Sequence, residues 1–234
     1  MFFKAVSLYK NAYSGLSPST WWLSLIMLVN RSGTMVLPFM SIYLTSPAMG
    51  YSIAQAGIVM GLFGLGAIAG GFIGGRITDS TGFYPVQVGT LLGGGVLFIV
   101  LGQMKSYPLI CVFSFLLSMV NEAFRPANAT AVAAYSDDNN RTRSYALNRL
   151  AINLGWAVGG AAGGYIASFN YELLFWVDGV TNMFAAVLLL YVLPPSANNI
   201  KPVRDEQTVD ASASAYRDTI YLLFPNVFDA NCLF

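Results

Sequence analysis

The sequence predicts an all-α integral membrane protein, a six-helix transmembrane bundle, and three observations carry that class. First, 56% of the 234 residues are hydrophobic and only 10% are charged, whereas about a quarter of an ordinary soluble domain is charged. So few charges cannot cover a water-facing surface. Second, six stretches (21–44, 53–75, 85–104, 107–134, 146–169 and 173–193) are long enough to cross about 30 Å of hydrocarbon at about 1.5 Å per residue. A membrane β-barrel would need only about ten residues per strand, a poor match to these lengths. Third, Lys4, Lys10, Arg76, Arg141, Arg143, Lys201, Arg204 and Arg217 fall on one side of the spans, with Arg149 near the same edge and Lys105 alone on the other. That bias places both termini in the cytoplasm of a multi-pass cell-membrane protein, and an even span count agrees.

Composition also removes function classes. Net charge is +1, so no nucleic-acid partner is expected. No histidine is present, which removes imidazole-based triads and the common zinc and haem ligands. No cofactor or metal site is expected. Cys111 lies in an apolar run and Cys232 in a tail, which reads as two separate thiols.

Residues 1–18 mix Phe2, Phe3, Val6, Leu8 and Tyr9 with Lys4 and Lys10, a pattern for a short interfacial helix or for a loose cytoplasmic terminus. The transmembrane region is expected over 19–195. Ser17 or Ser19 is positioned to cap the first span, with Trp21 and Trp22 as interfacial anchors. Arg31 lies near the middle of that span, and Pro38 interrupts it. Span two carries Gly57, Gly61, Gly64, Gly66, Gly70, Gly71, Gly74 and Gly75, and neither it nor span three holds a charge. Span four has Glu122 near its midpoint, Arg125 three residues on, and Pro126. Residues three apart share a helix face, and Arg31 comes out at a depth similar to Glu122, so a contact across the bundle is geometrically allowed. A charge at that depth is unfavourable by roughly 2.5–3.5 kcal/mol unless it meets a partner or a polar cavity. Arg31, Glu122 and Arg125 are therefore candidates for a substrate and proton pathway, or for a structural ion pair. Asn30, Gln55, Asn121 and Asn153 are further polar candidates, each equally readable as an interhelical hydrogen bond.

Span five follows Arg141 and Arg143 and holds Gly155, Gly159, Gly160, Gly163 and Gly164. Small residues at such intervals let another helix backbone approach closely. Spans two and five, both glycine-rich, occupy equivalent places in successive three-helix units, the arrangement of an inverted repeat. Span six leads into a proline-, serine- and charge-rich linker within 196–234. Residues 216–224 then turn apolar, as though a seventh span began and was cut short. Truncation is the expected reading, an interfacial tail the alternative.

These residues bring the chain to a family. Gly75, Asp79 and Gly82 in "GGRITDSTG" resemble the loop motif G-x-x-x-D-R-x-G-R-R of the major facilitator superfamily, with Ser80, Phe83 and Tyr84 where basic residues belong. Gly155, Gly159, Gly163 and Gly164 match its antiporter motif G-x-x-x-G-P-x-x-G-G, with Gly160 in place of the proline. "NRSGTMVLPFMSIYL" resembles span one of multidrug-efflux-like members. The resemblance covers about residues 17–195. It implies half of a twelve-helix fold working by alternating access, with spans one and four lining the cavity and Asp79 in a gate. The expected function is secondary active transport of a small molecule, with proton-coupled efflux as the mode, and no enzymatic activity. The second six-helix half would be either a covalent continuation or a self-pairing copy. The rival reading is a membrane assembly protein that carries nothing and binds helices through its glycine faces.

Overall fold

The structure, a computed structural model, describes residues 13–193. Residues 1–12 of the expected interfacial segment, and the whole of the linker and seventh-span start, fall outside the described residues. Within them lie seven helices: α1 (Pro18–Ser32), α2 (Val36–Thr45), α3 (Ile53–Thr81), α4 (Phe83–Gly102), α5 (Tyr107–Ala134), α6 (Arg141–Ala167) and α7 (Glu172–Val192). Taken with α1 and α2 as one crossing, they form six segments long and apolar enough to span a membrane. Many large apolar side chains are exposed, among them Ile53, Phe72, Val112 and Leu190, as a lipid-facing surface requires.

The first span is two helices rather than one. Pro38 lies in the first turn of α2, where its missing N–H would have had no helical partner in any case. Its ring crowds the carbonyl four residues back, at Thr34, and the chain breaks there, over residues 33–35. Pro126 behaves differently, since α5 runs through it unbroken. The helix start follows the expected chemistry. Ser17 caps α1, its hydroxyl accepting the Thr20 amide at 3.2 Å, with Pro18 in the first turn.

Helix pairing follows the glycines. A Cβ at Gly66, Gly70 or Gly74 would run into Ser118, Met119 or Ala123 of α5, all three within about 3.1 Å. A Cβ at Gly155, Gly159 or Gly163 would reach Arg31 at 2.7 Å, the Ser32 carbonyl at 2.8 Å or Phe39 at 2.9 Å. Each helix thus presents a bare groove every fourth residue. The most extensive pairing is α3 with α5, followed by α4 with α7 and then, equally, α1 with α6 and α4 with α5; of these, α3 with α5, α4 with α7, and α1 with α6 are the ones related by the repeat. Exchanging the two three-helix units turns the first of these into the third and returns the second to itself. At the self-paired contact, a Cβ at Gly95 or Gly179 would meet the other's carbonyl at 2.8 Å. The inverted repeat expected from glycine placement is therefore present as packing.

Three details differ from the expectation. Gly160 meets nothing within 4 Å and Gly164 only ordinary contact with Phe39, so the groove on α6 uses three of its five glycines. Gly75 and Asp79 lie inside α3 and not in a loop. Thr78 and Thr81 return hydroxyl bonds to the carbonyls of Gly74 (2.7 Å) and Ile77 (2.8 Å), and nothing breaks the helix before Gly82. That residue, at φ 87°, is the whole connection to α4, a conformation glycine adopts without strain. Gln55 acts as a helix cap: its side chain accepts the Ser52 amide while Ser52 accepts the Gln55 amide.

Two apolar clusters fill the bundle. One gathers Leu23, Ile26, Phe83, Phe124 and Leu189; the other gathers Met40, Tyr43, Phe98, Leu117 and Phe175. Between them lies a polar waist.

Candidate functional site

The waist is built from α1, α5 and α7. Asn30 on α1 donates to the Asn182 side-chain oxygen at 2.8 Å, and Asn182 donates to the Asp178 carbonyl at 2.8 Å. The Asp178 carboxylate, fully buried, accepts the Met35 amide at 2.8 and 3.0 Å and the Val36 amide at 2.7 Å. It thus satisfies the first donors of α2, which the break in span one exposes. The positive end of a helix also favours a negative charge there. The break is held at Gly33 as well, where a Cβ would strike the Thr181 side chain at 2.5 Å. The sequence reading overlooked Asp178. The signal was present, because a lone carboxylate in the middle of an apolar span seldom lacks a role.

The three predicted charges meet here, though not as a triad. Glu122 pairs with its own helix neighbour Arg125, Oε2 to Nε at 2.7 Å. No ion pair within 4.0 Å joins Arg31 to either acid among the described residues. Arg31 is 8% exposed and its Nε has no hydrogen-bond partner. Its Cβ lies where a Cβ at Gly155 of α6 would strike it, at 2.7 Å, so the base of the side chain sits against α6.

Arg31 forms part of the wall of two cavities. One, of about 20 Å³, is lined by Asn30, Arg31, Thr34, Asn121, Glu122 and Asn182 among others, room for a water but not for a larger molecule. The other, of about 450 Å³, lies between α1, α5 and α6 and is lined by Arg31, Arg125, Asn128, Asn148, Arg149 and Trp156 among others. That volume is within the range of small-molecule sites. Tyr145 closes its edge, its hydroxyl donating to the Ala129 carbonyl at 2.8 Å. Of the other sequence candidates, Asn121 lines the smaller cavity and Asn153 the larger. Asp79 is exposed at the far end of α3, away from the waist.

Comparison with known proteins agrees with this architecture. The family model described as the Major Facilitator Superfamily matches residues 22–228. An uncharacterized MFS-type transporter of Bacillus subtilis, YqjV, is 26% identical over 180 residues, 76% of this chain and 44% of its own length. The uncharacterized MFS-type transporter YdeE of Escherichia coli is 26% identical over 71% of this chain and 41% of its own length. The multidrug resistance protein MdtH of Aeromonas hydrophila is 26% identical over 78% of this chain and 46% of its own length. The chain spans less than half the length of these relatives. Broken first span, glycine-paired inverted repeat and family match converge on one conclusion: the chain belongs to the Major Facilitator Superfamily.

Proposed function

We propose that the chain is the N-terminal six-helix half of a secondary active transporter. It moves a small molecule by alternating access, exports it at the expense of a proton gradient, and sits in a cell membrane with both termini cytoplasmic. The second half is a further six-helix unit, covalent or a second copy, covering the open side of α1, α5 and α6. The reading is of a carrier, not an enzyme. One observation supports it above the others: a carboxylate and a buried arginine share a water-sized cavity at the waist, between two separately packed apolar clusters. Glu122 is the proton carrier in this reading. Its partner Arg125 is 68% exposed and free to swing away, and the pair's charge balance changes when Glu122 takes a proton. Asp79 serves as a gate residue against the other half. The printed name of the Aeromonas relative, a multidrug resistance protein, supports export of drug-sized cargo.

The test is accumulation in a bacterial strain stripped of its own exporters, using fluorescent compounds that are anionic, neutral and cationic. Expression of the chain should lower accumulation of at least one of them, a protonophore should restore it, and Glu122→Gln should behave as empty vector. Unchanged accumulation with the chain demonstrably in the membrane overturns transport by a self-paired chain and leaves the covalent half or the assembly role. Export by Glu122→Gln at the unaltered rate removes Glu122 as the coupling residue.

A further inference from the structure

We infer that the cargo is an organic anion, held by Arg31, Arg125 and Arg149 in the larger cavity; this rests on the transport reading above and names its substrate class. Three arginines line one 450 Å³ space, and no acidic residue lines it with them. Glu122 makes its direct ion pair with Arg125, at 2.7 Å, and reaches Arg31 only by longer-range attraction. Arg31 and Arg149 have no carboxylate within 4.0 Å among the described residues.

Arg31 is the deciding group. It is more than nine-tenths buried, it cannot shed its charge, and its Nε lacks a partner. A guanidinium in that position is costly unless the cavity brings it an anion. Its planar fork matches a carboxylate, sulfonate or phosphate with two parallel hydrogen bonds. Trp156 on the same wall offers an apolar face for the body of such a molecule. Asn128 and Asn148 are each 5% exposed and carry unpartnered side-chain oxygens, so whatever fills the cavity, cargo or water, has to bring a donor as well. A cationic drug would find three like charges here and one carboxylate already engaged.

The experiment is calorimetric titration of the full 234-residue chain in phosphatidylcholine nanodiscs with two matched probes, naphthalene sulfonate and naphthylmethylammonium. The sulfonate should bind about tenfold or more tighter than the ammonium, and added salt should weaken it. Losing one charge-assisted bond is expected to cost about tenfold or more in affinity, so Arg31→Gln and Arg149→Gln should each do so. Arg149 is exposed, so its variant folds even where Arg31→Gln does not. Equal or tighter binding of the ammonium, or full sulfonate affinity in Arg149→Gln, overturns the inference. So does loss of sulfonate binding when phosphatidylglycerol enters the disc, which would assign the site to a lipid headgroup. Export of a cation with no sulfonate binding would remove the anion site and keep the transporter. Sulfonate binding with no export would keep the site and remove transport.

Discussion

Removing the Asp178 carboxylate should loosen the first span more than any change on the lipid face. In Asp178→Ala the amides of Met35 and Val36 lose the acceptor now 2.7–3.0 Å away. Met35 is 6% exposed and Val36 3%, so water has no easy route to replace it. Each buried donor left unmet costs about 1–3 kcal/mol, which sums to about 2–5 kcal/mol once partial relaxation is allowed. For a chain of this length, about 2–4 °C accompanies each kcal/mol, so the midpoint should fall by about 4–20 °C. Asp178→Asn should fall less. One amide oxygen placed where Oδ2 sits still meets both donors, at 2.8 and 2.7 Å, while the charge that strengthens those bonds is gone. The assay is thermal unfolding of the full chain in detergent, followed by far-UV circular dichroism. A midpoint for Asp178→Ala within about 1 °C of the parent would sink the reasoning, because the two amides would then have another acceptor. An asparagine variant as damaged as the alanine one would show that shape, and not acceptor chemistry, holds the break.

The repeat makes a paired prediction. Gly70→Ala, whose new carbon would press on the Met119 backbone at 2.8–2.9 Å, should destabilise by about 1–3 kcal/mol, and Gly71→Ala, facing open space, should stay within about 1 kcal/mol of the parent. Gly159→Ala and Gly160→Ala should divide the same way on α6, and equal midpoints within either pair would contradict the packing described. Outside the spans, burial, followed by the neighbouring Tyr84 phenol, pushes the Tyr135 phenol up from its ordinary 10 to about 12. The fold keeps that proton longer than the unfolded chain does, so the contribution is whole below pH 10 and is lost as pH climbs through about 12. Tyr135→Phe should flatten the decline of the unfolding midpoint over that interval; an unaltered slope would place the alkaline sensitivity in another group.

Much of this was legible before any coordinates. Six apolar stretches set the spans to within a few residues, because hydrocarbon thickness fixes their length. Glu122 and Arg125 could be paired on paper, since an interval of three places them on one helix face. Pro38 marked an interruption, and the structure moves its effect one turn back, to the carbonyl that the ring displaces. Other features lay beyond reach for a definite reason. The carboxylate of Asp178 was in plain view, but its partners are main-chain amides, and an amide leaves no signature in the side-chain string. The choice of Gly155, Gly159 and Gly163 over Gly160 and Gly164 depends on which neighbour α6 meets, and spacing alone fits both faces. Arg31 was legible as a buried charge but not as an unpaired one. Its isolation follows from Glu122 preferring a neighbour three residues away over a partner on another helix.

The broken first span has a consequence for biogenesis. Met35 leaves the ribosome long before Asp178, which lies 143 residues further along the chain. At about 5–20 residues per second that is about 7–30 s of synthesis. Throughout it the two amides that α2 will need capped have only water or the insertion machinery to satisfy them. The span broken at 33–35 thus cannot reach its final shape until the segment carrying Asp178 follows it, and a ribosome stalled before α7 would display that span still waiting for its acceptor.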